Sequence, residues 1–92
     1  MPHILIAEDE SRIAAFIEKG LRSNGFSTTV ASSGLEALNL VQDNAFDLLI
    51  LDLGLPEKDG IEVLEELRGQ GQSLPIIILT ARDDVHDKVT GL

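Results

Sequence analysis

Short apolar runs alternate with amphipathic stretches along the chain. His3-Ile4-Leu5-Ile6-Ala7 carries its apolar residues consecutively, the pattern of a strand buried on both faces. Beyond it, Ile13, Phe16, Ile17 and Leu21 recur at helical spacing, and Asn24-Gly25 supplies a left-handed stop. Phe26, Thr28 and Val30 then alternate with polar residues, as in a strand at a sheet edge. Ser33-Gly34 opens a second helix with Leu35, Leu38 and Val41 predicted inward, ending near Asp43-Asn44. Asp47 to Asp52 is the most apolar run and reads as the central strand. Gly54, Pro56 and Gly60 punctuate the loop after it. A third helix is predicted to turn Ile61, Leu64 and Leu67 inward and Glu62, Glu65, Glu66 and Arg68 outward, stopping at Gly69-Gln70-Gly71. Pro75 begins a fourth strand, Ile76-Ile77-Ile78-Leu79, and Asp83 or Asp84 would cap a fourth helix through Val85, Val89 and Leu92.

Such β-α alternation predicts an α/β fold, a doubly wound parallel sheet with right-handed crossovers and helices on both faces. Composition narrows the function. The chain has no cysteine, which excludes a disulfide scaffold, a thiolate metal site and a cysteine nucleophile. A formal net charge of −9 is the wrong sign for gripping nucleic-acid phosphates, so no direct nucleic-acid contact is expected of these residues. No apolar run approaches the roughly 20 residues of a membrane span, and Met1-Pro2-His3 lacks the basic region of a signal peptide, so the expected location is cytoplasmic.

Sites in open parallel sheets form beyond the carboxyl ends of the strands. Here those ends carry Glu8 and Asp9, then Asp52, then Thr80. Close carboxylates repel and raise one another's pKa, and a hard divalent cation relieves this; Mg²⁺ accepts such ligands and keeps a position for a phosphate oxygen. Each feature alone has an ordinary reading. Glu8-Asp9-Glu10 suits the first turn of any helix, Asp52 and Thr80 suit caps, and Gly54, Pro56 and Gly60 suit any loop. Their joint occurrence at one sheet edge is what the ordinary readings explain poorly.

Three segments carry a resemblance: Ile4 to Glu10, Asp47 to Gly60 (with Asp-Leu-Gly-Leu-Pro-Glu-Lys-Asp-Gly from Asp52) and Pro75 to Ala81. In these the chain resembles the phospho-acceptor receiver domain of bacterial two-component response regulators, of the winged-helix OmpR/PhoB-like type. The resemblance implies a flavodoxin-like fold and a phosphorelay switch that regulates transcription in a longer parent protein, rather than a metabolic enzyme. It implies that Asp52 takes a phosphoryl group from a sensor histidine kinase. Mg²⁺ would be held by Asp9, Asp52 and the backbone carbonyl of Gly54, with Glu8 acting directly or through water. Thr80 would contact the phosphoryl group and act as the switch, with Ala81 leaving room for access.

The resemblance also marks departures. Receivers have five strands in order 2-1-3-4-5, and four strands and four helices are legible here. No lysine ends a strand, since Lys19, Lys58 and Lys88 fall on a helix, a loop and a helix. Residues 1–92 therefore read as one receiver domain in order 2-1-3-4, truncated before the fifth strand. Self-association through an exposed fourth-strand edge is expected of such a chain. Two alternatives remain at this level: a Mg²⁺-dependent phosphohydrolase of the haloacid-dehalogenase kind, and a phosphorylation-incompetent pseudo-receiver. The first needs an aspartate two residues after the nucleophile, where this chain has Gly54.

Overall fold

Consecutive β-branched and leucine residues favour strands wherever both faces can be covered, and this chain covers them with helices. The structure, a computed structural model, describes residues 1–79. The elements are β1 (His3–Ala7), α1 (Ser11–Ser23), β2 (Ser27–Ala31), α2 (Gly34–Asp43), β3 (Leu48–Asp52), α3 (Gly60–Gly69) and β4 (Ile76–Leu79). Among the described residues they form a four-stranded sheet in the order β2-β1-β3-β4, parallel throughout. The alternating strand, now β2, lies at the edge, and β3 lies between β1 and β4. Thr80, Ala81 and the fourth helix predicted around Val85, Val89 and Leu92 lie outside the described residues.

Strand side chains alternate between faces, so the buried run of β1 supplies both. Leu5 and Ala7, with Leu49 and Leu51 of β3, join Ala37, Leu38 and Val41 of α2 and Val63 and Leu67 of α3 in the main core. Ile4 and Ile6 are equally buried but turn to the other face, where α1 contributes Ala14. Burying a leucine or isoleucine side chain stabilises by about 1.5–3 kcal/mol, so these central strands dominate the fold's stability. No helix among the described residues is long and apolar enough to cross a membrane.

The helix faces agree with the expected ones at Leu38, Val41 and Leu67, which are buried, and differ from them elsewhere. In α2 the buried residues are Gly34, Ala37, Leu38 and Val41, while Leu35 is 45% exposed. In α3 they are Gly60, Val63 and Leu67, with Ile61 and Leu64 only half-buried. Both sets follow helical spacing, but each includes a glycine. Large apolar residues alone locate the stripe and miss the small residues on which the helix approaches most closely. In α1 the expected stripe holds in part, with Ile13 37% exposed. Ala14 is buried, Ile17 and Leu21 are half-buried, and Phe16 is 80% exposed.

The helix ends are set locally. Ser33 caps α2 by accepting from the Glu36 N–H at 3.1 Å, and Glu36 reaches back to the Ser32 N–H at 2.7 Å, one residue outside the usual capping-box partner. Asp59 caps α3 through the Ile61 N–H at 2.8 Å. Gly25 (φ 89°) and Gly71 (φ 80°) take the left-handed conformations that end α1 and α3. At the far end of the sheet, Asp47 accepts from the His3 N–H at 2.7 Å and donates its own N–H to the His3 carbonyl at 2.8 Å. That exchange begins the β1–β3 pairing one residue before β3 itself.

Two glycines of these helices should respond oppositely to alanine. A Cβ on Gly60 would lie 2.6 Å from the Asp52 carbonyl oxygen and 2.6 Å from the Leu53 Cα, both backbone atoms. Gly60→Ala is expected to cost about 1–3 kcal/mol in urea unfolding. Gly20, inside α1 with nothing within 4 Å of its added Cβ, should gain about 0.5–1 kcal/mol as Ala. A Gly60→Ala protein as stable as the parent would contradict the packing described.

Candidate functional site

The carboxyl ends of β1 and β3 define the site. Parallel pairing sets Ala7 opposite Leu51, so Glu8 and Asp52 are the next residues out on adjacent strands. The Glu8 N–H donates to the Ala31 carbonyl at 2.9 Å, extending the β1–β2 ladder by one residue and fixing the backbone where the acidic segment begins. Asp9 follows directly, before the first turn of α1. One carboxylate oxygen from each of Glu8, Asp9 and Asp52 lies within 4.8 Å of the others.

The three residues differ in environment. Glu8 is 3% exposed, Asp52 is half-buried and Asp9 is open to solvent. Burial pushes the Glu8 carboxyl above its ordinary pKa, and the charges of Asp52 and Asp9 push the same way. The Glu10 N–H, donating to Glu8 Oε2 at 2.9 Å, works against them. Asp52 Oδ1 accepts from the Gly54 N–H at 3.3 Å, which turns the loop back at its first step. Leu53 and Leu55, on either side of Gly54, are buried and anchor that loop.

Lys58, whose nearest acidic neighbour decides where its charge goes, is paired with Glu66 of α3. That pairing raises its pKa and holds the ammonium on the α3 side. An all-oxygen, anionic, partly open donor set suits a hard cation such as Mg²⁺, Mn²⁺ or Ca²⁺ over a soft one. The solvent-facing Asp9 leaves a path for it to enter. By residue chemistry and placement, the cluster fits the metal expected from the sequence.

Of the residues expected at the site, Glu8, Asp9 and Asp52 come together, and Gly54 lies two residues beyond Asp52 in the same loop. Thr80 is outside the described residues; it follows Leu79, which is registered with Asp52. Two features of the loop went unnoticed in the sequence. Glu57 has φ 67°, and the Lys58 N–H donates to the Pro56 carbonyl at 2.7 Å, a γ-turn of the strained, positive-φ kind. Nothing in a glutamate announces this conformation. The second is Gly34, which joins Gly60, a loop glycine legible in the sequence, in pressing against the loop backbone.

Comparison with known proteins agrees with this geometry. The family model described as "Response regulator receiver domain" matches residues 4–92. The chain is 44% identical over 90 residues to the uncharacterized transcriptional regulatory protein YkoG of Bacillus subtilis, covering 98% of this chain and 40% of that protein. It is 42% identical over 89 residues to the response regulator MprA of a Mycobacterium species, covering 97% and 39%. It thus spans about two-fifths of the length of these relatives. Among solved structures, the receiver domain of the Francisella response regulator 1452 superposes with a TM-score of 0.90 at 42% identity, covering 99% of this chain and 75% of that one. The response regulator TrrA of Thermotoga maritima, solved in complex with Mg²⁺-BeF, gives 0.89 at 32% identity, covering 99% and 79%. A structure of the histidine kinase ThkA in complex with TrrA gives 0.82 at 36% identity, covering 88% and 70%.

Like charges held this close oppose folding when no cation is present. Two unit charges at about 4 Å cost roughly 1 kcal/mol in water and about 4 kcal/mol at an effective dielectric of 20. Asp52→Asn and Glu8→Gln, each keeping its backbone hydrogen bond, are therefore expected to raise stability by about 1 kcal/mol in EDTA. Glu65→Gln on the exposed side of α3 should stay within about 0.5 kcal/mol of the parent. Destabilisation by both site variants in urea unfolding would mean that repulsion does not govern the cluster.

Proposed function

The chain belongs to the response regulator receiver domain family, and on that basis we propose that Asp52 accepts a phosphoryl group from a phosphohistidine of a sensor histidine kinase. The observation that carries the reading is the convergence of Glu8, Asp9 and Asp52 carboxylates at the carboxyl edge of the sheet. Glu8, Asp9, Asp52 and the Gly54 carbonyl would hold Mg²⁺. When bound, the ion offsets negative charge on the carboxylates and on the oxygens of the transferring group.

A carboxylate is a weak nucleophile, so catalysis here rests on position and electrostatics. Asp52 attacks phosphorus through a carboxylate oxygen; a P–O bond forms as the P–N bond to the kinase imidazole breaks. The half-buried setting of Asp52 and the Gly54 N–H on its Oδ1 orient the carboxylate and limit its rotation. Glu8, buried and bonded to the Glu10 N–H, supplies charge at the back of the site, while Asp9 supplies it at the mouth. Thr80, at the end of the neighbouring strand segment in the sequence, is assigned the hydrogen bond to the phosphoryl group and with it the switch.

The named partners of similar proteins support the kinase assignment. TrrA has been solved with the kinase ThkA, and this chain shares 36% identity with the matching chain of that complex. The output is assigned to transcription because YkoG is named a transcriptional regulatory protein and the chain corresponds to part of its length. The acidic balance of the sequence keeps nucleic-acid contact away from this domain.

Two outcomes are expected. Incubation with acetyl phosphate and Mg²⁺ should add one phosphoryl group, located on Asp52 by peptide mass spectrometry, and Asp52→Asn should abolish it. Modification that persists in Asp52→Asn would overturn the acceptor assignment. Mg²⁺ should also raise the thermal midpoint, by an amount equivalent to about 1.4 kcal/mol at ten times Kd. The shift should vanish in Asp9→Asn; an equal shift there would move the metal elsewhere.

A further inference from the structure

The loop after β3 carries a strained turn and so needs external support. Residues held at sparsely populated backbone angles persist only where the surroundings over-determine them. Glu57 at φ 67° is such a residue and is itself exposed, with no packing of its own to hold it. Support reaches the loop from two sides. At its end, the Gly60 N–H donates to the Leu53 carbonyl at 3.0 Å, closing the loop on itself. From outside, the first residue of α2 presses on it. The Gly34 N–H donates to the Pro56 carbonyl at 3.2 Å, the same oxygen that receives the γ-turn bond from Lys58.

The approach tolerates no side chain. A Cβ on Gly34 would stand 1.9 Å from the Lys58 carbonyl oxygen and 2.8 Å from its carbonyl carbon. These are backbone atoms of the turn, so they cannot swing aside as a side chain would. Either the loop or the start of α2 must move. The helix is poorly placed to do so, because Ser33 is buried and caps it through Glu36, and Ala37, Leu38 and Val41 seat it in the core. The displacement therefore falls on Pro56–Lys58, two to four residues from Gly54.

We propose that Gly34 is a positioning residue for the metal site: its missing side chain lets α2 clamp the Pro56–Lys58 turn and so hold the Gly54 carbonyl at its place in the donor set. The inference rests on the Mg²⁺ reading of the Glu8, Asp9, Asp52 and Gly54 cluster. Gly34 touches neither cation nor substrate and acts through the loop alone. Outer residues that orient metal ligands typically change affinity by about 10–100-fold when altered.

The test is calorimetric titration of the full chain with MgCl₂, alongside circular dichroism melts. Gly34→Ala is expected to keep the helical signal, lower the midpoint and weaken Mg²⁺ by about tenfold or more. Val41→Ala, a cavity in the same helix two turns away, should lower the midpoint and leave the affinity unchanged. Glu57→Gly relieves the strained φ and loosens the turn. It should melt no lower than the parent yet bind Mg²⁺ several-fold more weakly, an outcome that general loss of stability cannot produce. If the parent binds Mg²⁺ and both Gly34→Ala and Glu57→Gly bind within about twofold of it, the positioning role is refuted while the site stands. Should Gly34→Ala fail to fold, Glu57→Gly alone decides by the same criterion. A parent chain that shows no Mg²⁺ binding refutes the site reading and this inference together.

Discussion

In the pairing of β1 with β3, Ala7 stands opposite Leu51, so the two strands leave the sheet side by side and their acidic residues emerge at one edge. A parallel arrangement is what makes this possible. Antiparallel neighbours would send the segment after Ala7 and the segment after Leu51 to opposite ends. The register matters as much as the direction. A slip of one residue would turn Leu49 and Leu51 out of the core and rotate Asp52 away from Glu8. Burial of Leu5, Leu49 and Leu51 at 0% exposure is thus the force that keeps mutually repelling carboxylates together. The apolar core and the charged edge are two ends of the same strands, and the first holds the second.

The loop after Asp52 shows how such an edge is finished. Leu53 and Leu55 bury their side chains, Gly60 lies against the Asp52 and Leu53 backbone, and Gly34 lies against Lys58. Lys58 bonds to Glu66, so its positive charge is held on α3 and does not compensate the acidic cluster. On the proposed reading, charge compensation is left to a divalent cation held by Glu8, Asp9 and Asp52. That division of roles explains why a chain with so many acids can concentrate three of them at one point. It also makes α2, which contributes no carboxylate, part of the support of the site.

How much of this was legible depended on the kind of information each element carries. The strand at His3–Ala7, the edge character of the strand ending at Ala31 and the central place of Leu48–Asp52 followed from runs and alternation of apolar residues. Those patterns report burial directly. Glu8, Asp9 and Asp52 were legible because strand ends in a parallel sheet share an edge, a consequence of connection handedness rather than of distance. The helix faces were read less well. Helical spacing places Leu35 inward, yet it lies 45% exposed, because Gly34 and Ala37 occupy the face that meets the rest of the molecule.

By itself, then, the sequence determined the order of elements, the parallel sheet, the edge at which chemistry collects and the residue types that collect there. These depend on hydrophobic periodicity and on charge, which are written residue by residue. Only the tertiary structure decided that Glu8 is the buried carboxylate and Asp9 the exposed one. It alone set Glu57 at a positive φ and brought Gly34 against the backbone of Lys58. The burial of Glu8 and the contact of Gly34 with Lys58 are relations between segments distant in the chain, and the turn at Glu57 is held by such a contact; relations of that kind come into being only when the packed core has fixed where the segments lie.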